Sequence, residues 1–94
     1  MAQWKHIEGK NKGDIKLYAL STCVWCKKTR KLLNELGVAY DCLEVDLLDE
    51  KEGDRVEEEE VKKWNPKGSY PTMVINNKRV IINFQEDEIR KALG

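Results

Sequence analysis

Seven stretches of the chain carry a regular apolar pattern, and polar or turn-forming residues separate them. Ile15-Lys16-Leu17-Tyr18-Ala19-Leu20 is a short, mostly apolar run and predicts a strand over 15–20. Thr29, Leu32, Leu33 and Leu36 follow at helical spacing and predict a helix over 24–36. Thr22 is placed to cap its start and Gly37 to end it in a left-handed conformation. Tyr40 to Val45 predicts a second strand with imperfect alternation. Gly53 and its charged neighbours read as a loop. Val56, Val61 and Trp64 then form a thin apolar stripe on a helix over 55–64, stopped by Asn65-Pro66. Thr72–Ile75 and Arg79–Ile82 predict two strands joined by a turn at Asn76-Asn77-Lys78, since Asn tolerates positive φ. Asn83 and Glu86 have capping-box spacing before a last helix over 85–93, with Ile89, Ala92 and Leu93 facing in. The order is β-α-β-α-β-β-α. It predicts an α/β fold with a parallel βαβ unit, an antiparallel hairpin, one four-stranded mixed sheet and three helices. Residues 1–13 are polar, carry Gly9 and Gly13, and read as a loosely ordered lead-in with Trp4 or Ile7 pinned to the domain at 14–94.

Composition narrows the class. Ninety-four residues make one domain with a modest core. No apolar run approaches the ~20 residues of a membrane span. The first residues, Met1 to His6, have no apolar signal-peptide core, so we expect a cytoplasmic protein, and a monomer. Three cysteines are an odd number, which argues against a secreted disulfide framework. Packing must then hold the fold, leaving a Cys23–Cys26 bridge free to open and close. Net charge is zero but segregated: +5 over residues 1–40, −9 over 41–60 and +4 over 61–94. These blocks read as solvated helix faces. The basic block includes Lys27, Lys28, Arg30 and Lys31, beside the cysteines. Lys27 and Lys28 are therefore candidates for stabilising a thiolate, and the face as a whole for steering an acidic partner. No basic patch is interleaved with aromatics, so nucleic acid is not an expected partner.

The chemistry concentrates at Cys23-Val24-Trp25-Cys26. The pair follows a predicted strand and opens a predicted helix, the context of a dithiol redox site. At the first helical turn, free N–H groups and the positive end of the dipole favour a thiolate on Cys23. That thiolate would attack a substrate disulfide, and Cys26, one turn further in, would resolve the mixed disulfide. The same spacing is also half of a metal site. His6, Cys23, Cys26 and Cys42 suffice for zinc in number, if the lead-in, second strand and first helix converge. Cys23 with an added thiol could also ligate an iron–sulfur cluster across a dimer. Cys42 reads most simply as a small buried apolar residue and His6 as solvated. Trp25 lies in the outward turn and lines a docking surface, with Thr22 and Val24 beside it.

Over 14–94 the chain resembles the glutaredoxin-like small redoxins of the thioredoxin superfamily. The resemblance rests on the Cys23–Cys26 motif after the first strand, on Tyr70-Pro71 before the third, and on Asn83-Phe84-Gln85-Glu86-Asp87 after the fourth. It implies a thioredoxin-like fold and a cis peptide at Pro71 facing the dithiol. It also implies substrate contacts from Tyr70, Pro71 and Asp87. Leu20 stands where such proteins often carry a basic residue, Val24 where they carry proline, and Ile82-Asn83 where they carry Gly-Gly. Branched side chains there obstruct the close approach of glutathione. Asn83-Phe84-x-x-Asp87 is similar to the corresponding segment of the NrdH-redoxins. That likeness implies a thioredoxin-reductase-type electron donor and protein-disulfide substrates, ribonucleotide reductase among them. No tightly bound cofactor or metal is expected, and glutathione is the less favoured reductant.

Overall fold

The computed structural model describes residues 4–94. Five strands form one mixed sheet in the order β1-β3-β2-β4-β5. They are β1 (Lys5–Ile7), β2 (Ile15–Ala19), β3 (Tyr40–Glu44), β4 (Thr72–Ile75) and β5 (Arg79–Ile82). β2 and β3 are parallel; β2–β4, β4–β5 and β1–β3 are antiparallel. The parallel β2–β3 pair and the antiparallel β4–β5 hairpin are the predicted ones, and the β2–β4 pairing joins them into one sheet. The extra strand is a correction: β1 pairs Lys5 with Cys42 and Ile7 with Tyr40, inside the segment read as a lead-in. Its Lys5 and His6 side chains are exposed and only Ile7 is half-buried, so no apolar alternation marks it. It forms because the outer edge of β3 offers free backbone groups. Trp4, just before it, packs its ring edge-on to Tyr18, with centroids 5.1 Å apart.

Helix α1 (Val24–Leu36) buries Cys26, Thr29, Leu32 and Leu33 and ends at Gly37, whose φ is 68°. Helix α4 (Glu86–Leu93) buries Ile89 and Leu93. Both cover the sheet face that carries Leu17, Cys42, Met73 and Ile81, four residues in one cross-strand register. The opposite face carries Tyr18, Leu43 and Val74 and is covered by a second helical stretch. Period-two alternation along the strands thus sorts the core into two layers.

That second stretch corrects the predicted helix over 55–64. It starts at α2 (Glu50–Val56), passes through a π-helical turn (Glu57–Val61) and ends with α3 (Lys62–Trp64). Asp49 caps it, accepting from Glu52 N–H at 2.9 Å. Glu50 and Glu52 in the first turn complement the helix dipole. Gly53 is therefore helical. A Cβ there would come within 3.3 Å of the Val45 carbonyl, so glycine lets the helix close on the end of β3. Val56 and Val61 are five residues apart, which on a regular α-helix puts them about 140° apart. The π turn brings both to full burial. No helix among the described residues is long and apolar enough to cross a membrane.

Candidate active site

The sheet's parallel pair delivers the dithiol. β2 ends at Ala19, the chain turns through Leu20, Ser21 and Thr22, and α1 begins at Val24. Cys23, not the expected Thr22, is the N-cap, with extended φ −82° and ψ 121°. Its sulfur accepts from the Cys26 N–H at 3.2 Å, so one of the free amides at the helix start is already aimed at it. Cys23 is partly exposed, whereas Cys26 is 1 % exposed. Burial, with a hydrogen bond to Cys23 next in weight, pushes the Cys26 thiol up to about 12; a backbone hydrogen bond from Leu20 works the other way. The two sulfurs thus occupy opposite environments one helical turn apart. All three cysteines are free thiols. Cys42 is buried in β3, and burial pushes its thiol up as well.

The β2–β4 register places Tyr18 opposite Thr72, so Pro71 stands level with Ala19, at the end of the sheet that bears Cys23. The Tyr70–Pro71 peptide is cis, as expected. The Pro71 carbonyl accepts from Asn83 N–H at 2.9 Å. Asn83 has φ 66°, the conformation that a glycine would otherwise supply. It does not cap α4: the cap position belongs to Gln85, whose side chain donates to the Ile82 carbonyl at 2.6 Å. Tyr70 is half-buried and packs against both core layers. Val24 and Trp25 are 63 % and 54 % exposed, and Thr22 is exposed beside them. The Trp25 indole stacks on Phe84 at 6.1 Å, and Lys28 Nζ lies 4.6 Å over it. Lys28 therefore leans on the indole, while Lys27 is exposed to solvent. Asp87 sits exposed in the first turn of α4, following the segment that holds Phe84.

Two groups of residues that the sequence did not mark as site residues shape the site, together with Phe84 from the segment already noted after β5. Asp46 binds Ser21, just before the dithiol. Asn65, 1 % exposed, donates to the Ser69 carbonyl and hydroxyl and to Thr72 Oγ1, holding the loop that leads to Tyr70-Pro71. Phe84 supplies the partner of Trp25. The sequence carries no local signal for the first two: Ser21 and Asp46 lie 25 positions apart, and the short-range Asn65 bonds depend on how the loop before Pro71 is packed.

A groove of about 330 Å³ lies beside the dithiol turn, lined by Leu20, Val45, Leu48 and Tyr70 and by Asp46, Asp49, Glu50, Asp54 and Glu57. Leu20 thus faces carboxylates. His6, Cys23, Cys26 and Cys42 do not gather into one site: His6 lies on β1, bonded through Nδ1 to Asp41 at 2.7 Å. Among the described residues no group of three or more His, Cys, Asp or Glu side chains is placed to hold a metal ion.

The geometry agrees with what the chain is similar to. A family model described as Glutaredoxin matches residues 15–80. An uncharacterized glutaredoxin-like 8.6 kDa protein in the rubredoxin operon of Clostridium pasteurianum is 32 % identical over 79 residues, covering 84 % of this chain and 96 % of that one. A glutaredoxin of Methanosarcina mazei, solved as a crystal structure, is 48 % identical with a TM-score of 0.86, over 97 % of this chain and 87 % of that one. Methanoredoxin of Methanosarcina acetivorans is also 48 % identical with a TM-score of 0.86, over 92 % and 90 % of the two chains.

Proposed function

This chain belongs to the glutaredoxin family of thiol–disulfide oxidoreductases, and we propose that its reaction runs through Cys23 as the attacking thiol and Cys26 as the resolving one. The Cys23 thiolate attacks one sulfur of a substrate disulfide. A Cys23–substrate disulfide forms and the other substrate sulfur leaves as a thiolate. Cys26 then gives up its proton and attacks the Cys23 sulfur, releasing the second substrate thiolate and leaving a Cys23–Cys26 disulfide. Two electrons have passed to the substrate, and the two thiol protons end on its sulfurs. Burial of Cys26 and exposure of Cys23 support this division of labour. Thr22, Val24 and Trp25 on one side, and Tyr70 with Pro71 on the other, border the position of the incoming disulfide. Pro71 lacks an N–H, which leaves the Tyr70 backbone free to pair with a substrate chain. Asp87, at the start of α4, is placed for a substrate amine.

The electron source we infer is a thioredoxin-reductase-type enzyme rather than glutathione, as in the NrdH-redoxins. The substrates are protein disulfides, that of ribonucleotide reductase among them. One observation carries this choice: the groove at Leu20, beside the turn that leads into Cys23, is lined by five acidic residues where an anionic tripeptide would need a cation. Ile82 and the Asn83 side chain add bulk after β5. A two-electron protein shuttle of this kind suits a monomer in the reducing cytoplasm. The test is a reductase screen on the oxidised protein, followed by Trp25 fluorescence. A thioredoxin reductase with its nicotinamide donor is expected to restore the dithiol, and glutathione to do so slowly. Rapid reduction by glutathione with none by thioredoxin reductases overturns the choice.

A further inference from the structure

One side chain ties the turn that carries Cys23 to the end of β3. Asp46 lies in the 3-10 turn Val45–Leu47 that follows β3. Its Oδ1 accepts from the Ser21 N–H at 2.8 Å, and its Oδ2 accepts from the Ser21 hydroxyl at 2.5 Å. Both carboxylate oxygens are thus spent on one residue, two positions before Cys23. Within the turn, Cys23 N–H donates to the Leu20 carbonyl at 3.2 Å. The Cys23 sulfur meets the Cys26 N–H at the same distance, and the first intrahelical bond, Lys27 N–H to the Cys23 carbonyl, is 3.1 Å. The two N–H···O bonds lie at the long end of the usual range, and the N–H···S contact, though close, is made by a weak acceptor. The charged, two-pronged grip on Ser21 is the strong bond of the set.

We propose that Asp46 is a positioning residue for disulfide exchange: by gripping Ser21 it holds the Leu20–Cys23 turn, and so keeps the Cys23 sulfur on the amino end of α1. The inference rests on Cys23 being the attacking thiol. Asp46 has two conceivable effects on that thiol, and they have opposite signs. As a clamp, it favours the thiolate by fixing the sulfur against the helix amides. As a bare negative charge, it disfavours the thiolate. Asp46→Asn separates them, because its amide oxygen still accepts from the Ser21 N–H while the charge is gone.

The experiment uses the full chain and a neutral disulfide, hydroxyethyl disulfide, with the pH profile of iodoacetamide alkylation as a second readout. Asp46→Ala is expected to slow the attack roughly threefold to tenfold, the size of one charge-assisted hydrogen bond discounted for exposure. It should also move the alkylation profile to higher pH, which a purely structural role would leave in place. Asp46→Asn should stay within about twofold of the parent. Ser21→Ala should slow attack partway, and the Ser21→Ala/Asp46→Ala pair should be no slower than Asp46→Ala alone. An Asp46→Ala protein that reacts as fast as the parent or faster, or an Asp46→Asn protein as slow as Asp46→Ala, overturns the proposal. Should Asp46→Ala not fold, the Ser21→Ala and Asp46→Asn rates decide. A Cys23→Ser protein that still reduces the disulfide overturns the assignment of the attacking thiol, which is a different failure.

Discussion

Cys23 and Cys26 differ in environment more than in sequence. Cys26 keeps its proton because it is buried and because the Cys23 sulfur stands beside it. In the proposed reaction, a mixed disulfide on Cys23 would take away the hydrogen bond that helps to hold the Cys26 proton, so that attack at Cys23 would itself ready Cys26 to resolve. In the reduced native protein near pH 8, iodoacetamide should label Cys23 and leave Cys26 and Cys42 unlabelled, as read by mass spectrometry of peptides. The same burial sets a dependence of stability on pH. The folded Cys26 value lies above the ordinary thiol value near 9, so its contribution is fully present below about pH 9 and is lost as pH rises towards about 12. Urea melts of the reduced protein should show stability falling through pH 9 to 11. The contribution of one group is at most about 1.4 kcal/mol per pH unit. The fall should be shallower in Cys26→Ala; equal slopes would mean that Cys26 ionises alike in both states. Asp46 works in the other direction. The Ser21 hydroxyl bond lowers its carboxyl, so the stability it lends is lost only on acidification below the ordinary carboxylate range.

Among the elements, the helical stretch from Glu50 to Trp64 departs most from its reading in the sequence. Gly53 and a run of charges look like a loop because glycine costs about 1 kcal/mol in a helix relative to alanine. The Asp49 cap and the acidic first turn offset that cost, and the close approach to the Val45 carbonyl gives the glycine a reason to be there. Asp49→Ala should cost about 1 kcal/mol in a urea melt, and Asp49→Asn little. If the helix began only at residue 55, both replacements would be neutral. The carboxylates of this stretch divide by direction. Glu58, Glu59 and Glu60 meet Lys62 or Arg55, and Glu60 also accepts from the Tyr18 hydroxyl at 2.8 Å. Glu50, Asp54 and Glu57 instead line the groove beside the dithiol.

On the scale of the whole molecule, that groove is where the segregated charge of the chain meets its chemistry. Leu20 comes from the end of β2, Asp46 from the turn after β3, Glu50 to Glu57 from the second helical stretch, and Tyr70 from the loop before β4. Neutralising three of its carboxylates, as Glu50→Gln/Asp54→Asn/Glu57→Gln, should raise the rate of reduction by glutathione roughly threefold to tenfold at low salt. The gain should shrink as ionic strength rises. No gain at low salt would mean that these carboxylates do not govern the rate with the tripeptide. The cysteine pair, the four strands β2 to β5, α1, α4 and the Asn76-Asn77 turn are all legible in the chain. Each rests on local physics: apolar period, left-handed tolerance of Gly37, Asn76 and Asn77, and the place of two cysteines between strand and helix. β1 is not legible, because three residues pair only when the edge of β3 is there to receive them. Nor are the Asp46–Ser21 grip and the Asn65–Ser69–Thr72 network. The grip spans 25 positions and depends on the parallel β2–β3 pairing, while the network depends on where the loop before Pro71 is packed. Element order and thiol chemistry therefore follow from neighbouring residues. What only the folded chain decides is which carboxylates and hydrogen bonds surround the turn that carries Cys23, because the residues that supply them are neighbours only there.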